Sequence, residues 1–517
     1  MTRPGSPLQD RRSAYLIVGV VAALVYLNSL GNLFAYDDVH IVETHTAIQS
    51  VETLPGALVT PYWPTAYGRE LGLWRPVTTG LFGVQYIVGG GAPFVFHLVN
   101  VLAHVGATLL ALMLFLELLS LPAAFAGALV FAIHPVHVEA VANVVGFSEI
   151  LSTAALLAAC LVHVRSGNRS GWREALAVGA LYAVGFGAKE SGVTLPGLIF
   201  LLDAARGRLG FGELPDYLRR RWPVYASMVL VAAALLAGRF SILGSVAHPF
   251  APLGADMLTE IPRIWTLGEI WLHYVRLWVF PMDLSVDYSP NVIRIWTSWG
   301  VENALGVFMM ILFLVISLIS WQKPELAPGG ESGRLAAFGA LWFLISISPT
   351  SNTVFLSGVL LAERTLYLPS VGLAAATGWL VVRLARDRKR VAWGGLLVLT
   401  VLGSVRTWTR NPTWYDTGTV FTTLMRDYPQ AGRSQWALAD QFMRAGQHEQ
   451  GLLSYRASIS LLNTSYQLVT EIARALINYG YYRGAEGLLK LAINDFPEFT
   501  TAYRLMTASR AEQGDAE

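Results

Sequence analysis

Long apolar runs, set apart by short arginine-rich stretches, recur along this chain and constrain its fold more than any other feature. About 20 uninterrupted apolar residues cross the hydrocarbon core as a helix, because a helix satisfies its own N–H and C=O groups there. Eleven spans are expected, near 13–34, 94–119, 121–134, 141–164, 174–188, 192–204, 223–240, 301–321, 335–349, 366–384 and 391–407. The shorter ones can cross where neighbouring helices cover them. With 54% hydrophobic and 14% charged residues in 517, the chain reads as an all-α polytopic membrane protein. It fits poorly a soluble enzyme, a disordered chain or a nucleic-acid binder. A formal net charge of +2 offers no field for a polyanion. The single Cys160, inside an apolar run, leaves no disulfide and no thiolate metal site. The first apolar run lacks the small-residue cleavage site of a removable signal.

Basic loops resist translocation, so arginine and lysine mark the cytoplasmic side. Arg11/Arg12, Arg165/Arg169/Arg173, Arg206/Arg208 with Arg219/Arg220/Arg221, Lys323/Arg334 and Arg383/Arg386/Arg388/Lys389/Arg390 all fall on one side of the eleven-span count. The N-terminus is therefore expected in the cytoplasm. Loops 35–92 and 241–300 and the C-terminus are expected outside. The run 265–281 is apolar enough to pass for a twelfth span, but counting it would move the basic run 383–390 outside. Its Glu269, His273 and Arg276 share one helical face, so an amphipathic helix in the outer interface or packed on the bundle is expected instead.

Beyond Arg410 the chain turns soluble in character. Asp427-Tyr428-Pro429 returns as Asp495-Phe496-Pro497 after 68 residues, and Gly446 and Ile459 return as Gly480 and Ile493 after 34. A 34-residue period is the tetratricopeptide signature of paired helices. The expected division is a transmembrane module over 1–410 and an extracytoplasmic α-solenoid over 411–517, with about two repeats and a capping helix. Such repeats stack into a concave surface that suits a peptide or partner helix; a folded spacer or dimer contact is the plainer alternative.

Ionisable side chains at membrane depth are costly unless paired or hydrated, and they mark function by default. Here they gather toward the outer side: Asp37, Asp38 and His40 after the first span, His97 and Asn100 on the second, His134, His137 and Glu139 ending the third, Lys189-Glu190 between the fifth and sixth, and Glu363-Arg364 with Tyr367 opening the tenth. His104 lies deeper. A polar pocket near the outer leaflet is expected. Two adjacent carboxylates can act as a general base, a metal site or a helix cap, and capping alone could account for Asp38. A carboxylate facing fixed cations suits transfer of a group from a phosphate: the base takes the acceptor's proton while Lys and Arg stabilise the departing charge.

His97 and His104, seven apart on one face, suit interhelical hydrogen bonding more than ligation. His134, His137 and Glu139 are of types that bind divalent metals, yet the spacing matches no zincin pattern and Pro135 breaks the register between the rings. No metal ligand is therefore assigned, and a metal requirement stays open. Trp74-Arg75-Pro76 either anchors an interfacial helix or reaches a phosphate.

Taken in order, Tyr36-Asp37-Asp38, Trp74-Arg75-Pro76, Phe96-His97-x-x-Asn100-x-x-x-His104, His134-Pro135-Val136-His137-x-Glu139-Ala140-Val141, Lys189-Glu190, Leu284-Ser285-x-Asp287-Tyr288-Ser289 and Glu363-Arg364-x-Leu366-Tyr367-Leu368-Pro369-Ser370 resemble blocks of the transmembrane and tetratricopeptide-repeat O-mannosyltransferases. That family sits in the GT-C superfamily, with the protein O-mannosyltransferases as cousins. The resemblance runs from about residue 30 to the final repeat. It implies a GT-C helical bundle, a polyprenyl-phosphate-linked sugar as donor, no tightly bound cofactor, and an acceptor on the outer face. The family's diacidic motif falls on Asp37 and Asp38, which implies that one is the base; Asp37 is favoured, with Asp38 orienting the acceptor or capping a helix. Lys189, Arg364 and Arg75 are placed at the donor phosphate from charge and topology. His97, His134, His137, Glu139, Glu190, Glu363 and Tyr367 are expected to line the pocket.

The expected activity is inverting transfer of a hexose, mannose by the resemblance, to a hydroxyl of a Ser/Thr-containing polypeptide recruited by the repeats. Basic residues are almost all Arg, with four Lys, which points to a high-GC genome, a bacterial inner membrane and an undecaprenyl carrier. Two other classes are compatible: a non-catalytic repeat scaffold for an envelope complex, and a lipid-linked sugar transporter. The transporter would want an internal repeat of the spans, which is not visible.

Overall fold

The carboxylate of Asp10 accepts hydrogen bonds from the N–H groups of Arg12 and Ser13 and so starts the first helix. From there the computed structural model describes residues 10–514, apart from 66–67, 70, 168–170, 207–213, 247–262, 323–332, 355 and 463–465. Arg169, Arg208 and Lys323 of the basic clusters, and residues 247–262 of the expected outer loop, lie outside the described residues. The helices are α1 Arg11–Leu24, α2 Leu54–Ala57, α3 Pro76–Gly89, α4 Pro93–Leu118, α5 Leu121–Ile133, α6 Val138–Ala142, α7 Phe147–Ser166, α8 Trp172–Ala188, α9 Leu195–Ala205 and α10 Leu214–Leu243. They continue as α11 Arg263–Val279, α12 Val301–Gln322, α13 Gly333–Ile347, α14 Tyr367–Arg410, α15 Thr417–Asp427, α16 Gly432–Arg444, α17 His448–Leu462, α18 Tyr466–Asn478, α19 Tyr482–Asp495 and α20 Thr500–Glu512. No strand occurs among the described residues.

Among the described residues, six helical stretches are long and apolar enough to cross a membrane, or seven if the broken pair Leu121–Ile133 and Pro135–Ala142, bent by 49°, counts as one. Each of the eleven expected segments contains a helix, 13–34 being α-helical only to Leu24 and 3-10 over Leu27–Gly31, and the difference in number has two physical sources. α8, α9 and α13 have only 17, 11 and 15 residues. The expected spans 366–384 and 391–407 are both within α14, which leaves helical geometry only at Arg388 (φ −135°, ψ 62°), inside the basic run.

The two halves of α14 flank α5 in opposite directions. Tyr367 meets Phe131 with ring centroids 5.2 Å apart, and a methyl on Gly378 would lie 2.2 Å from the carbonyl oxygen of Ala123. After Arg388, Ala392 and Leu396 pack with Ala126 and Val130, and Thr407 Oγ1 donates to the Ile133 carbonyl at 2.8 Å. Small residues allow this approach, as in lipid-embedded helix pairs. Ile311, Ile316 and Ile319 on α12, and Val398, Val401, Leu402 and Val405 on α14, remain exposed, as surfaces against acyl chains would be.

The hairpin at Arg388 brings both ends of α14 to the end of the bundle where α1 finishes and α7 begins. At the other end, His163 bridges Glu174 (2.7 Å) and Asp203 (2.9 Å), with Arg221 3.4 Å from Asp203. These groups are buried and tie α7, α8, α9 and α10 together, each offsetting the others' desolvation.

α11 packs on the bundle through Leu267, Ile270, Trp271 and Tyr274. Its polar face carries Glu269, 3.7 Å from His273, and Arg276, which donates to Asp283 at 3.0 Å. After α14, Asn411 Nδ2 donates to the Val25 carbonyl at 2.9 Å and Leu33 N–H donates to the Tyr415 carbonyl at 2.8 Å, so the C-terminal helices begin docked on the end of α1. Gly446 (φ +75°), Gly480 (φ +77°) and Gly514 (φ +78°) occupy corresponding turns after α16, α18 and α20. That left-handed conformation favours glycine.

Candidate active site

Two consecutive carboxylates leave the chain in different directions because the residue before them is turned. Tyr36 has φ +56°, a left-handed conformation that costs a tyrosine roughly 1–2 kcal/mol. Asp38 points inward and is fully buried. It accepts from the N–H groups of Val145 (2.8 Å), Ala35 (3.1 Å) and Val144 (3.3 Å). It thereby caps, from another element, the helical run that becomes α7. Burial pushes its carboxyl up to about 7 against the pull of those three N–H groups.

Asp37 remains 16% exposed, with Oδ2 4.0 Å from Arg364 Nη1. Burial raises its proton affinity, and the positive charges of Arg364 and Arg433 oppose the rise. Arg364 is itself held. Pro135 breaks α5, the chain re-enters as α6, and Glu139 in its first turn accepts from Arg364 N–H (2.9 Å) and Nη1 (2.8 Å). A guanidinium has five donors, and this one is 24% exposed. Its neighbour Glu363 turns the other way and accepts at Oε1 from Ser285 N–H and Tyr288 OH, both at 2.7 Å. That fastens the segment 284–289, and with it Asp287, beside Tyr36 and Asp37.

The other expected phosphate ligands lie in two further ion pairs. Lys189 is closed against Glu149, both buried; burial lowers the lysine's proton affinity and Glu149 restores part of it. Arg75 donates to Glu190 Oε2 at 2.8 Å and stacks over Tyr62 at 4.8 Å. Burial would raise Glu190, but Arg75 and the more distant Arg239, at 3.8 Å, hold it below the usual glutamate range. A cleft lined by Trp74, Pro76, Phe186, Gly187, Glu190, Leu235, Leu236 and Arg239 opens beside this pair.

Several expected pocket-lining side chains belong instead to the core. His97, His137 and Tyr367 are fully buried and His134 nearly so, whereas buried Glu139 serves the site by holding Arg364. His97 Nε2 pairs with the Leu33 carbonyl at 3.2 Å. His104 bridges Tyr367 OH (2.7 Å) and the Ala132 carbonyl (3.0 Å). His137 bridges the Phe131 carbonyl (3.0 Å) and Ser370 Oγ (2.8 Å). His134 stacks on Trp278 with centroids 4.2 Å apart and pairs with its carbonyl. Their apolar surroundings and partners explain the burial: His104 and His137 satisfy the Ala132 and Phe131 carbonyls where Pro135 interrupts the helix, and His97 and His134 satisfy the carbonyls of Leu33 and Trp278. Among the described residues no group of three or more His, Cys, Asp or Glu is placed to hold a metal ion.

Four residues next to the site were missed in the sequence. Glu149 carried a signal, an acid in the first turn of an apolar run. Arg239 and Arg433 carried none, because each is brought in from a distant segment; Asp287 stood in one of the matching sequence blocks, but its place near Asp37 did not show.

The chain is thus an all-helical multi-pass membrane protein with a carboxylate–guanidinium site at one end of its bundle. Its homologues are transmembrane, tetratricopeptide-repeat-containing protein O-mannosyl-transferases. It is 26% identical over 436 residues to mouse (Mus musculus) protein O-mannosyl-transferase TMTC3, covering 80% of this chain and 47% of that one. It is 28% identical over 430 residues to the Caenorhabditis elegans protein O-mannosyl-transferase F38B6.6, covering 79% and 57%. Against Drosophila melanogaster protein O-mannosyl-transferase Tmtc2 it is 31% identical over 304 residues, covering 55% and 31%. The chain spans about half the length of the curated relatives it matches. No family model matches. Among solved structures, the apo crystal structure of the Archaeoglobus fulgidus oligosaccharyltransferase aligns over 83% of this chain and 58% of that one, at 14% identity and a TM-score of 0.43.

Proposed function

We propose that this chain is an inverting membrane glycosyltransferase of GT-C type that moves mannose from a polyprenyl phosphate to a Ser or Thr hydroxyl of a polypeptide outside the cytoplasm. The approach of Arg364 to Asp37, 4.0 Å apart at one end of the bundle, carries the reading, and the O-mannosyl-transferase relatives support it. The Asp37 carboxylate takes the acceptor hydroxyl's proton as that oxygen attacks the anomeric carbon. The carbon–oxygen bond to phosphate breaks, and its electron pair leaves with the polyprenyl phosphate. The Arg364 donors not taken by Glu139 meet the growing negative charge, a preorganised stabilisation in a site of low dielectric. Arg75, with the cleft beside Glu190, is the second proposed phosphate contact. Asp38 acts as a cap that fixes the loop, and Lys189 as a support paired with Glu149 rather than a phosphate ligand.

The same reading takes the eleven helical segments as spans, with Arg388 at a cytoplasmic turn, the N-terminus inside, and the helices after Arg410 as an extracytoplasmic tetratricopeptide domain that presents the acceptor. The carrier is proposed to be undecaprenyl phosphate in a bacterial inner membrane. The test is transfer of labelled mannose from undecaprenyl-phosphate mannose to threonine-containing peptides by the purified, reconstituted chain. Labelled peptide is the expected result. Failure to consume this or any other polyprenyl-phosphate hexose would overturn the reading in favour of a scaffold or transporter.

A further inference from the structure

Tyr36, the strained residue preceding Asp37, is held at its N–H and side chain by the C-terminal segment. Its N–H donates to Thr417 Oγ1 at 2.8 Å. Its ring meets Phe421 edge-on with centroids 5.6 Å apart. Its hydroxyl accepts from Arg433 Nη2, and the guanidinium carbon lies 5.5 Å from the Tyr36 ring and 5.1 Å from that of Trp436. Arg433 is fixed in turn: the neighbouring Gly432 donates its N–H to the Pro290 carbonyl at 3.3 Å and accepts from Ser458 Oγ of α17 at 3.0 Å. A left-handed tyrosine persists only where its surroundings over-determine it; here the helices after Arg410 hold its N–H and side chain, while the Ala35 N–H bond to Asp38 and the Val39 N–H bond to the Tyr36 carbonyl close the loop on the other side.

We propose that Arg433 is a positioning residue: through Tyr36 it couples the first helical pair of the C-terminal domain to the orientation of Asp37, so that domain docking sets the base. This rests on the reading of Asp37 as base. Arg433 also contributes charge. The titratable and charged groups facing Asp37 are Arg364 before α14, Arg433 on α16, His40 and Tyr62 of the 35–92 loop, Asp287 of the 284–289 segment, Glu139 of α6 and the adjacent Tyr36 and Asp38. Arg433 is the one among them supplied by the C-terminal domain. Its loss removes a positive charge that favours the carboxylate, so Asp37 then holds its proton to higher pH.

The experiment is the pH dependence of mannose transfer from undecaprenyl-phosphate mannose to a threonine peptide by the full chain and its Arg433→Gln, Arg433→Lys, Tyr36→Phe and Asp37→Asn variants. For Arg433→Gln, kcat is expected to fall about tenfold, since small misplacements of a reacting group are this costly, with donor KM changed less than about twofold. The acidic limb of kcat/KM should move to higher pH. Arg433→Lys should return the limb toward its original position, and Tyr36→Phe, which removes only the hydroxyl, should lower kcat by a smaller factor without moving it. An Arg433→Gln profile that overlays the parent, or a loss with an unmoved limb that Arg433→Lys shares in full, overturns the proposal. Should Arg433→Gln not fold, an unchanged kcat in Tyr36→Phe does so. A fully active Asp37→Asn chain overturns the base assignment itself; an inactive one beside a parent-like Arg433→Gln retires only the coupling.

Discussion

Arg364 Nη1 stands 4.0 Å from Asp37 Oδ2 while also donating to Glu139 Oε1 at 2.8 Å. One cation therefore serves two carboxylates from different elements, and Glu139 fixes the guanidinium so that it does not collapse onto Asp37. Asp37 keeps a charged neighbour and an open side. Replacing Arg364 by Met should lower kcat about a hundredfold or more, the range for losing one preorganised charge stabiliser. Lys at this position should recover only part, because a compact ammonium cannot reproduce the planar fork. Steady-state transfer rates check both. A fully active lysine variant would show that charge alone is needed.

Lys189 and Glu149 bury opposite charges beside each other with 7% and 2% of their side chains exposed. Lys189→Met should destabilise the chain by about 3–5 kcal/mol by leaving Glu149 unpaired. The double variant Lys189→Met with Glu149→Leu should regain most of that loss. Thermal unfolding in detergent reads the difference. A phosphate-binding Lys189 would instead give single and double variants equally inactive.

Asp38 makes stability depend on pH with a definite sign. Its folded-state value is about 7 against an ordinary 3.8. Between those values the folded chain holds a proton that the unfolded chain has lost, so this contribution is full below about 3.8, declines as pH rises, and levels off above about 7. The melting temperature should thus gain from this residue at the acid end of that window, and Asp38→Asn should remove that part of the slope. Parallel curves for parent and variant would contradict it.

Both ring nitrogens of His134 and His137 are engaged within the protein: His134 by Val136 N–H and the Trp278 carbonyl, His137 by the Phe131 carbonyl and Ser370. Chelation by EDTA should leave the transfer rate unchanged. A loss restored by added divalent cation would return Glu139 and these rings to consideration as ligands.

What could be read in advance divides along physical lines. The apolar segments were legible because the bilayer demands long uncharged helices, and the 34-residue return of Gly446 as Gly480 coincides with two turns of positive φ. Segment lengths were less so: α8, α9 and α13 are short, and α14 runs on through its basic stretch. In the site, adjacency of Asp37 and Asp38 hid opposite fates, since a left-handed Tyr36 turns one carboxylate into the core. The histidines drew attention as polar side chains at depth, yet their partners are the carbonyls of Leu33, Phe131, Ala132 and Trp278 and the hydroxyls of Tyr367 and Ser370, which no spacing rule shows. Arg433 lies 397 residues from Tyr36; only the docking of the C-terminal helices on α1 brings it there.

The central claim is that Asp37 takes the acceptor's proton while Asp38 holds the loop. Its most direct test is the rate of mannose transfer by Asp37→Asn and Asp38→Asn chains, with melting curves taken on the same preparations. Asp37→Asn should fold as the parent does and lose about a thousandfold in kcat, within the range for removing a general base, whereas Asp38→Asn should change its melting curve. An Asp37→Asn chain that transfers at the parent rate would contradict the claim.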